Sequence, residues 1–493
     1  MKKATIILII SICAITLFAD WSIEQKVFAG DGSGEDYFGQ SVSISGEYAI
    51  VGAPLKNFPL GAAYLHKRIN NQWLEIEKIQ ASDSTNTQGF GSSVFINGDY
   101  MMISANHYYS NSSGSTYIYH NDGENWNEVD IITASGSPIC DQYGCSVGIT
   151  ENGEYAIVGA YNDDENGENS GAVYVYQQIN SEWNLQTKIM AYDGSLQDLF
   201  GCSVFITNNL IFVSAINDDD NGEESGSVYI YENNGTNWEF HSKIIASHNT
   251  SNDQFGVSIS VCGDFLIVGT SCYDQGEAYI FHFDGENWTE VANLTASDGF
   301  DYDHFGRSVS ISEDYAVIGA CDCPDVGMSA SAYFFEKEGT DWNELNKLTI
   351  DNWGAFGYSV SISGENAIVG ANLDFGVSNA TGAVYFISND GTSIDQEIIT
   401  YPQYNALISN YPNPFNPITT ISFSLTTNLH EKARIEIFNI KGQLVETFSN
   451  LPITNSPNQQ IVWNAEKQAS GVYFYKLVVD DKTVDTKKMI LLK

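Results

Sequence analysis

Apolar and small or polar residues alternate in one short pattern that returns along most of the chain. It is clear at Phe38-Gly-Gln-Ser-Val-Ser-Ile44, where Phe38, Val42 and Ile44 alternate with small or polar residues, the period-two signature of a half-buried strand. The turn Gly46-Glu47 leads into the apolar run Tyr48-Ala-Ile-Val-Gly-Ala53. After a loop of variable length comes Gly-x-x-Tyr, ending at Tyr64. A fourth segment opens at Trp73 and closes on Ala81-Ser-Asp83. The pattern predicts four strands per unit, and the region carries no helical period.

The aromatic-glycine step occurs seven times, at Phe38, Phe90, Tyr143, Phe200, Phe255, Phe305 and Phe356, with a mean spacing of 53 residues. A fixed period of that size marks one supersecondary unit used repeatedly. The tyrosine of Gly-x-x-Tyr recurs at Tyr64, Tyr117, Tyr174, Tyr229, Tyr279, Tyr333 and Tyr385, and the tryptophan at Trp21, Trp73, Trp126, Trp183, Trp238, Trp288 and Trp342. The first tryptophan precedes the first Phe-Gly, and none follows Tyr385. The repeats therefore begin on a fourth strand and end on a third. In a ring of four-stranded blades the N-terminal strand completes the last blade and hides two sheet edges, whereas an open solenoid would leave the Trp21 strand without a sheet. The expectation is an all-β chain: a seven-bladed β-propeller over residues 20–400, followed by a small β-sandwich.

Phe-Gly, then Val51-Gly-Ala-Pro54, then Gly-x-x-Tyr resembles the FG-GAP repeats of β-propellers, the kind found in integrin α-chain heads. Many repeats of that family carry an Asp-x-Asp-x-Asp-Gly calcium loop between the first and second strands. Here that connection is only a tight turn such as Ser45-Gly46-Glu47, so those calcium sites do not carry over.

Met1 to about Ala19 reads as a secretory signal, with Lys2 and Lys3 before the apolar run Ala4 to Leu17. No later segment approaches transmembrane length. The net charge of −41 is uneven: residues 20–400 hold 10 basic and 55 acidic side chains, residues 401–493 nine and seven. So acidic a body repels nucleic acid and anionic membranes and attracts cations or basic partners. Seven cysteines follow the signal. Cys145 and Cys202 fall at equivalent positions of neighbouring blades, about 10 Å apart and beyond disulfide reach. Cys272, Cys321 and Cys323 share equivalent loops, where one bridge is open.

The pattern changes after Tyr385. Residues 401–407 read as a linker, and residues 408–493 as a module of alternating strands. Its opening Tyr411-Pro412-Asn413-Pro414, the Gly471-Val-Tyr473 step and the basic-apolar end at Lys487 and Lys488 resemble the C-terminal sorting domain of the bacterial type IX secretion system. That resemblance implies recognition by the secretion machinery and a secreted or outer-membrane surface location in a Gram-negative bacterium.

Antiparallel order puts the connections from strand two to three and from strand four to the next strand one on one face. The tight turns lie on the other. Variable loops on a rigid scaffold are where binding residues collect. Two loops stand out: Asn162-Asp163-Asp164-Glu165-Asn166-Gly-Glu168 and Asn217-Asp218-Asp219-Asp220-Asn221-Gly-Glu223. Asn162, Asp164 and Asn166, with Asn217, Asp219 and Asn221, imitate half of a calcium loop. Val173 and Val228 stand where an EF-hand has its twelfth-position glutamate, and such residues also build solvated turns. An aspartate two residues before the aromatic, at Asp36, Asp141, Asp198, Asp253 and Asp303, reads as a cap for the turn backbone. No nucleophile, base and orienting partner converge, so the expectation is a non-enzymatic binding or adhesion protein with an unidentified protein or glycan ligand. Arg307 stands where other repeats have Gln40, Ser92 and Tyr358, at the channel position. A glycan-degrading propeller and a structural surface-layer component are the alternatives.

Overall fold

The strands Val42–Ser45, Tyr48–Ala53, Ala62–Ile69 and Gln72–Ile79 form one antiparallel sheet in that order, and six more four-stranded sheets repeat it. The seventh is made of Phe356–Ser363, Asn366–Ala371, Ala383–Ser388 and, as its outermost strand, Ser22–Val27. That N-terminal strand pairs with Ala383–Ser388 in a register that sets Lys26 opposite Tyr385. This computed structural model describes residues 20–83, 88–106, 114–134, 141–248, 251–271, 275–321, 330–350, 354–374, 381–389, 406–411, 416–424, 433–449, 459–479 and 482–492. The signal sequence, Cys140, Cys272, Cys323, residues 401–405 of the linker and Pro412, Asn413 and Pro414 fall outside them. Every regular element among the described residues is a strand. The chain separates into two units, Met1–Gln396 and Glu397–Lys493.

The repeat motif is the packing of a blade. In all seven blades the aromatic of the aromatic-glycine step meets the tyrosine of Gly-x-x-Tyr edge to face, at centroid distances from 5.0 Å (Phe90–Tyr117) to 5.6 Å (Phe255–Tyr279). Each such pair contributes about 0.5–1.5 kcal/mol beyond its buried area. Trp21 is buried and stacks on Phe334 of the preceding blade at 4.7 Å. It thereby locks the closing strand.

The innermost strands would be bare edges, with donors pointing at the neighbouring blade. Serines satisfy them. Ser43 Oγ accepts from Ile96 N, Ser260 Oγ from Ile311 N and Ser310 Oγ from Ile362 N, at 3.1, 3.3 and 3.1 Å. The same bonds cross the point of closure, where Ile44 N and Gly46 N donate to Ser361 and Ser363, both at 3.1 Å. The Ser-Val-Ser-Ile pattern thus encodes the blade and its lateral joint. Cys202 on one of these strands and Cys145 just before another are free thiols, and burial raises both above the ordinary thiol range, Cys202 to about 11.

The C-terminal unit has a three-stranded sheet (Ala406–Tyr411, Ile418–Ser424, Gln459–Asn464) and a four-stranded sheet ordered Leu444–Ser449, Ala433–Asn439, Gly471–Val479, Lys482–Leu491. Ile421, Phe423 and Trp463 of the first pack with Ile435, Ile437, Tyr475, Leu477, Met489 and Leu491 of the second. The result is a sandwich with its own core.

Candidate functional site

Backbone bonds join the two classes of variable loop on one face. Gln197 N donates to Glu168 O at 2.9 Å and Leu199 N to Asn169 O at 3.2 Å. One blade on, Asn252 N donates to Glu223 O at 2.7 Å and Gln254 N to Glu224 O at 3.1 Å. The recurrent aspartate turns the chain inward from this face. Asp36 accepts from Ser33 N and Ser33 Oγ at 2.6 and 2.8 Å, Asp198 from Ser195 N at 2.6 Å and Asp303 from Phe300 N at 2.7 Å. The flanking residues, such as Gln197 and Leu199, have positive φ, so the carboxylate holds a backbone that would otherwise be costly. It is a cap.

The two acidic loops each divide into an inward and an outward half. Asp163 is 1% exposed; its carboxylate accepts from Tyr174 Oη at 3.0 Å and pairs with Lys188 at 2.7 Å, while Glu165 N donates to its Oδ1 at 3.1 Å. Asp218 repeats this with Tyr229 Oη at 2.8 Å, Lys243 at 2.7 Å and Asp220 N at 3.0 Å. Burial acts against the charge on Lys243, but Asp218 and Asp220 hold its ammonium above the ordinary range. Burial and the Asp193 and Asp218 carboxylates also push the Tyr229 phenol upward. Asp163 and Asp218 are therefore structural anchors rather than open ligand groups. The outward half (Asp164, Glu165, Asn166 and Glu168, then Asp219, Asp220, Asn221 and Glu223) is exposed.

Of the calcium-type positions, Asn162 and Asn217 are half-buried. Asp164 accepts from Asn169 N at 2.7 Å and Asp219 from Glu224 N at 2.8 Å. Asn166 and Asn221 each donate to a backbone oxygen, Ala191 O and Ala246 O, both at 3.3 Å. The loops are closed by their own bonds. Among the described residues no group of three or more His, Cys, Asp or Glu side chains is arranged to hold a metal ion.

The lysine partners escaped the sequence reading, although the signal is there. Lys26, Lys78, Lys188, Lys243 and Lys347 each stand five residues after the blade tryptophan, in a region with only ten basic residues. Each faces the tyrosine of Gly-x-x-Tyr across the outer strand pair. The closing Ala-x-Asp supplies a second acceptor: Asp31, Asp193 and Asp298 receive the hydroxyls of Tyr64, Tyr229 and Tyr333 in the following blade, at 2.6, 2.7 and 2.9 Å. In the first blade the order of charge inverts. Buried Lys56 occupies the place of Asp163 and pairs with Asp36 at 2.8 Å.

The loop face exposes apolar as well as acidic side chains. Phe58, Tyr192, Leu196 and Phe300 are 62, 66, 68 and 64% exposed. All four sit on connections from strand two to three or from strand four to one. Among the described residues of the propeller they are the most exposed large apolar side chains.

In the sorting module, Tyr411 ends the first strand. Gly471 is exposed, and Tyr473 is buried against Trp463 at 5.3 Å with its hydroxyl on Ala469 O at 2.7 Å. Met489 and Leu491 are buried, Lys487 is half-buried and Lys488 is exposed.

Seven closed four-stranded blades define a β-propeller carrying a sandwich module at its C-terminus. The chain belongs to the FG-GAP repeat family, whose profile matches residues 21–66, 73–119, 126–176, 183–231, 238–281, 288–335 and 342–387. Residues 409–492 match the secretion system C-terminal sorting domain. A search among curated proteins finds no match. Solved structures with a similar trace include the β-propeller domain of the Trilobed protease from Pyrococcus furiosus (10% identity, TM-score 0.39, 67% of this chain and 90% of that one). Hydrazine synthase of Kuenenia stuttgartiensis is another (11%, 0.45, 69% and 93%), as is a Lactobacillus plantarum protein (10%, 0.43, 63% and 85%). The sorting domain implies recognition by the type IX machinery and export to the cell surface or the medium. Among the described residues no helix is long and apolar enough to cross a membrane.

Proposed function

We propose that the exported propeller is a non-catalytic recognition module that binds a protein or glycan through its loop face. The observation that carries this reading is the placement of Phe58, Tyr192, Leu196 and Phe300 on the same loop face as the outward carboxylates of the two acidic loops. Exposed apolar side chains rimmed by charge mark interaction surfaces. Tyr192 packs edge-on to Phe240 at 4.7 Å, so it is held rather than loose, which lowers the entropy lost on binding. A cation entering the acidic loops competes with Lys188 and Lys243 for their carboxylates, so calcium is held weakly there. Thermal melts with and without calcium read this directly: a large rise in Tm overturns weak binding.

The ligand test is a panel of glycans and bacterial or host surface proteins, probed with the mature chain and with a variant in which Phe58, Tyr192, Leu196 and Phe300 are all serine. Binding by the parent and its loss in a variant with an unchanged melt supports the loop face. Undiminished binding by the variant places the ligand elsewhere.

A further inference from the structure

Seven repeats built alike should give seven like positions around the channel, yet one arc breaks the symmetry. The residue after Phe-Gly lies at or just before the start of each innermost strand, at the end nearest the loop face. It is Cys145, Cys202 and Val257 in three successive blades, but Arg307, Tyr358 and Gln40 in three others. These last three are linked across blade boundaries. The Arg307 guanidinium lies 5.1 Å from the Tyr358 ring centroid, and Gln40 Nε2 donates to Tyr358 Oη at 2.8 Å. Gln40 Oε1 accepts from Asn372 Nδ2 at 2.6 Å.

Two features of this arc stay unspent. Arg307 has no carboxylate or carbonyl partner among the described residues, in a propeller where Lys26, Lys56, Lys78, Lys188, Lys243 and Lys347 all pair with aspartate. Asn372 is 3% exposed, yet its Oδ1 is buried with no hydrogen-bond partner. Tyr358 Oη accepts from Gln40, which leaves its own proton to donate. An unpaired guanidinium fork, a free phenol proton and an orphaned amide oxygen make a set of donors with one acceptor. A buried polar atom left unsatisfied is costly, and a ligand hydroxyl would relieve it.

We infer that Arg307, Tyr358, Gln40 and Asn372 form a subsite for the carboxylate of a uronic acid, taken as a single sugar or a chain terminus. Arg307 takes the carboxylate as a bidentate partner. Tyr358 adds a donor, and the Asn372 oxygen accepts a sugar hydroxyl. A single acid suits the surroundings: with 55 acidic residues against 10 basic ones in residues 20–400, the propeller repels a polyuronate but tolerates one carboxylate at a local cation. The inference does not depend on the apolar rim, and its test separates the two.

The test is calorimetric titration of the full mature chain with glucuronate, galacturonate, glucose and acetate. A uronate should bind while glucose and acetate do not, and Arg307→Gln should weaken uronate binding at least about tenfold. Tyr358→Phe, which keeps the ring under the guanidinium, should weaken it several-fold without lowering Tm. The four-serine rim variant should bind uronate as the parent does. No uronate binding, equal binding of acetate, an unchanged affinity in Arg307→Gln, or capture of a peptide carboxylate in preference to the sugar would each overturn the assignment.

Discussion

Gly52 lies directly against the carbonyl oxygen of Gly91 in the next blade, so closely that a Cβ on Gly52 would come within 2.0 Å of that oxygen. The same meeting recurs between Gly159 and Gly201, Gly269 and Gly306, Gly319 and Gly357, and, across the point of closure, Gly370 and Gly39. The glycine of Val-Gly-Ala and the glycine of Phe-Gly are therefore two sides of one joint. In two blades the first of these is Ser104 or Ser214, and there the hydroxyl accepts from Ser93 N at 3.0 Å or Ser203 N at 2.8 Å.

Gly370→Ala should accordingly destabilise the propeller by about 2–3 kcal/mol, the cost of overpacking a close joint. Because Gly370 meets Gly39 across the closure, the variant should loosen the ends of the repeat first. Chemical denaturation and hydrogen exchange at Ser22–Val27 measure both effects. A midpoint within error of the parent would mean that the backbone yields without cost.

The anchoring and outward halves of the acidic loops should respond differently to the same chemical change. Asp163→Asn strands Lys188 and Tyr174 beside a neutral amide and should cost about 2–4 kcal/mol, since removing one partner of a buried pair is expensive. Lys188 keeps Glu165 at 2.6 Å and partial access to water, which holds the figure below the upper end for such pairs. Asp164→Asn keeps the acceptor for Asn169 N and should change stability by no more than about 0.5 kcal/mol. Equal shifts in denaturation midpoint would erase the distinction between anchor and rim.

Much of this was legible in the sequence, and the reason is repetition. The stagger between seven tryptophans and seven Phe-Gly steps fixes which strand closes the ring, and Phe-Gly with Gly-x-x-Tyr names the pair at the heart of each blade. The direction of Asp163 and Asp218 was not legible. A loop of Asn, Asp and Gly has the same composition whether its first aspartate faces water or a lysine. Only the register of the outer strand pair decides, and a β-bulge between Val175 and Tyr176 brings Lys188 opposite Tyr174. Without that bulge Thr187 would face the tyrosine, and no pattern of apolar residues announces it.

Acid should weaken the joint between the first and last blades. His66 is fully buried between Phe38 and Phe386, at 6.2 and 5.7 Å, and its burial holds its pKa down to about 4, from an ordinary 6.5. The fold keeps the imidazole neutral while the unfolded chain protonates it. Its contribution to stability is therefore full above pH 6.5 and lost as pH falls from 6.5 toward 4, about 3 kcal/mol over that window. The stability of the parent relative to His66→Leu, followed across that window, should fall as the pH falls, because the variant lacks this term. Parallel pH profiles would show that the imidazole takes a proton without disturbing the joint.

Residues 408–493 should be required for export but not for folding of the propeller. The sandwich buries its own core of Ile421, Phe423, Trp463, Tyr475, Leu477 and Met489, and each propeller core is built only of propeller residues. Deleting the tail therefore removes no core residue from a blade, while it removes the whole region that matches the sorting domain. In the native host the truncated chain should accumulate in the periplasm as a folded, protease-resistant propeller. Lys488→Ala tests a narrower point. The side chain is exposed beside buried Met489, so its loss should leave the sandwich folded and bear on recognition alone. Surface display of the tail-less chain at the parent level would refute the sorting role. Periplasmic retention with an unfolded propeller would instead show that the blades depend on the sandwich.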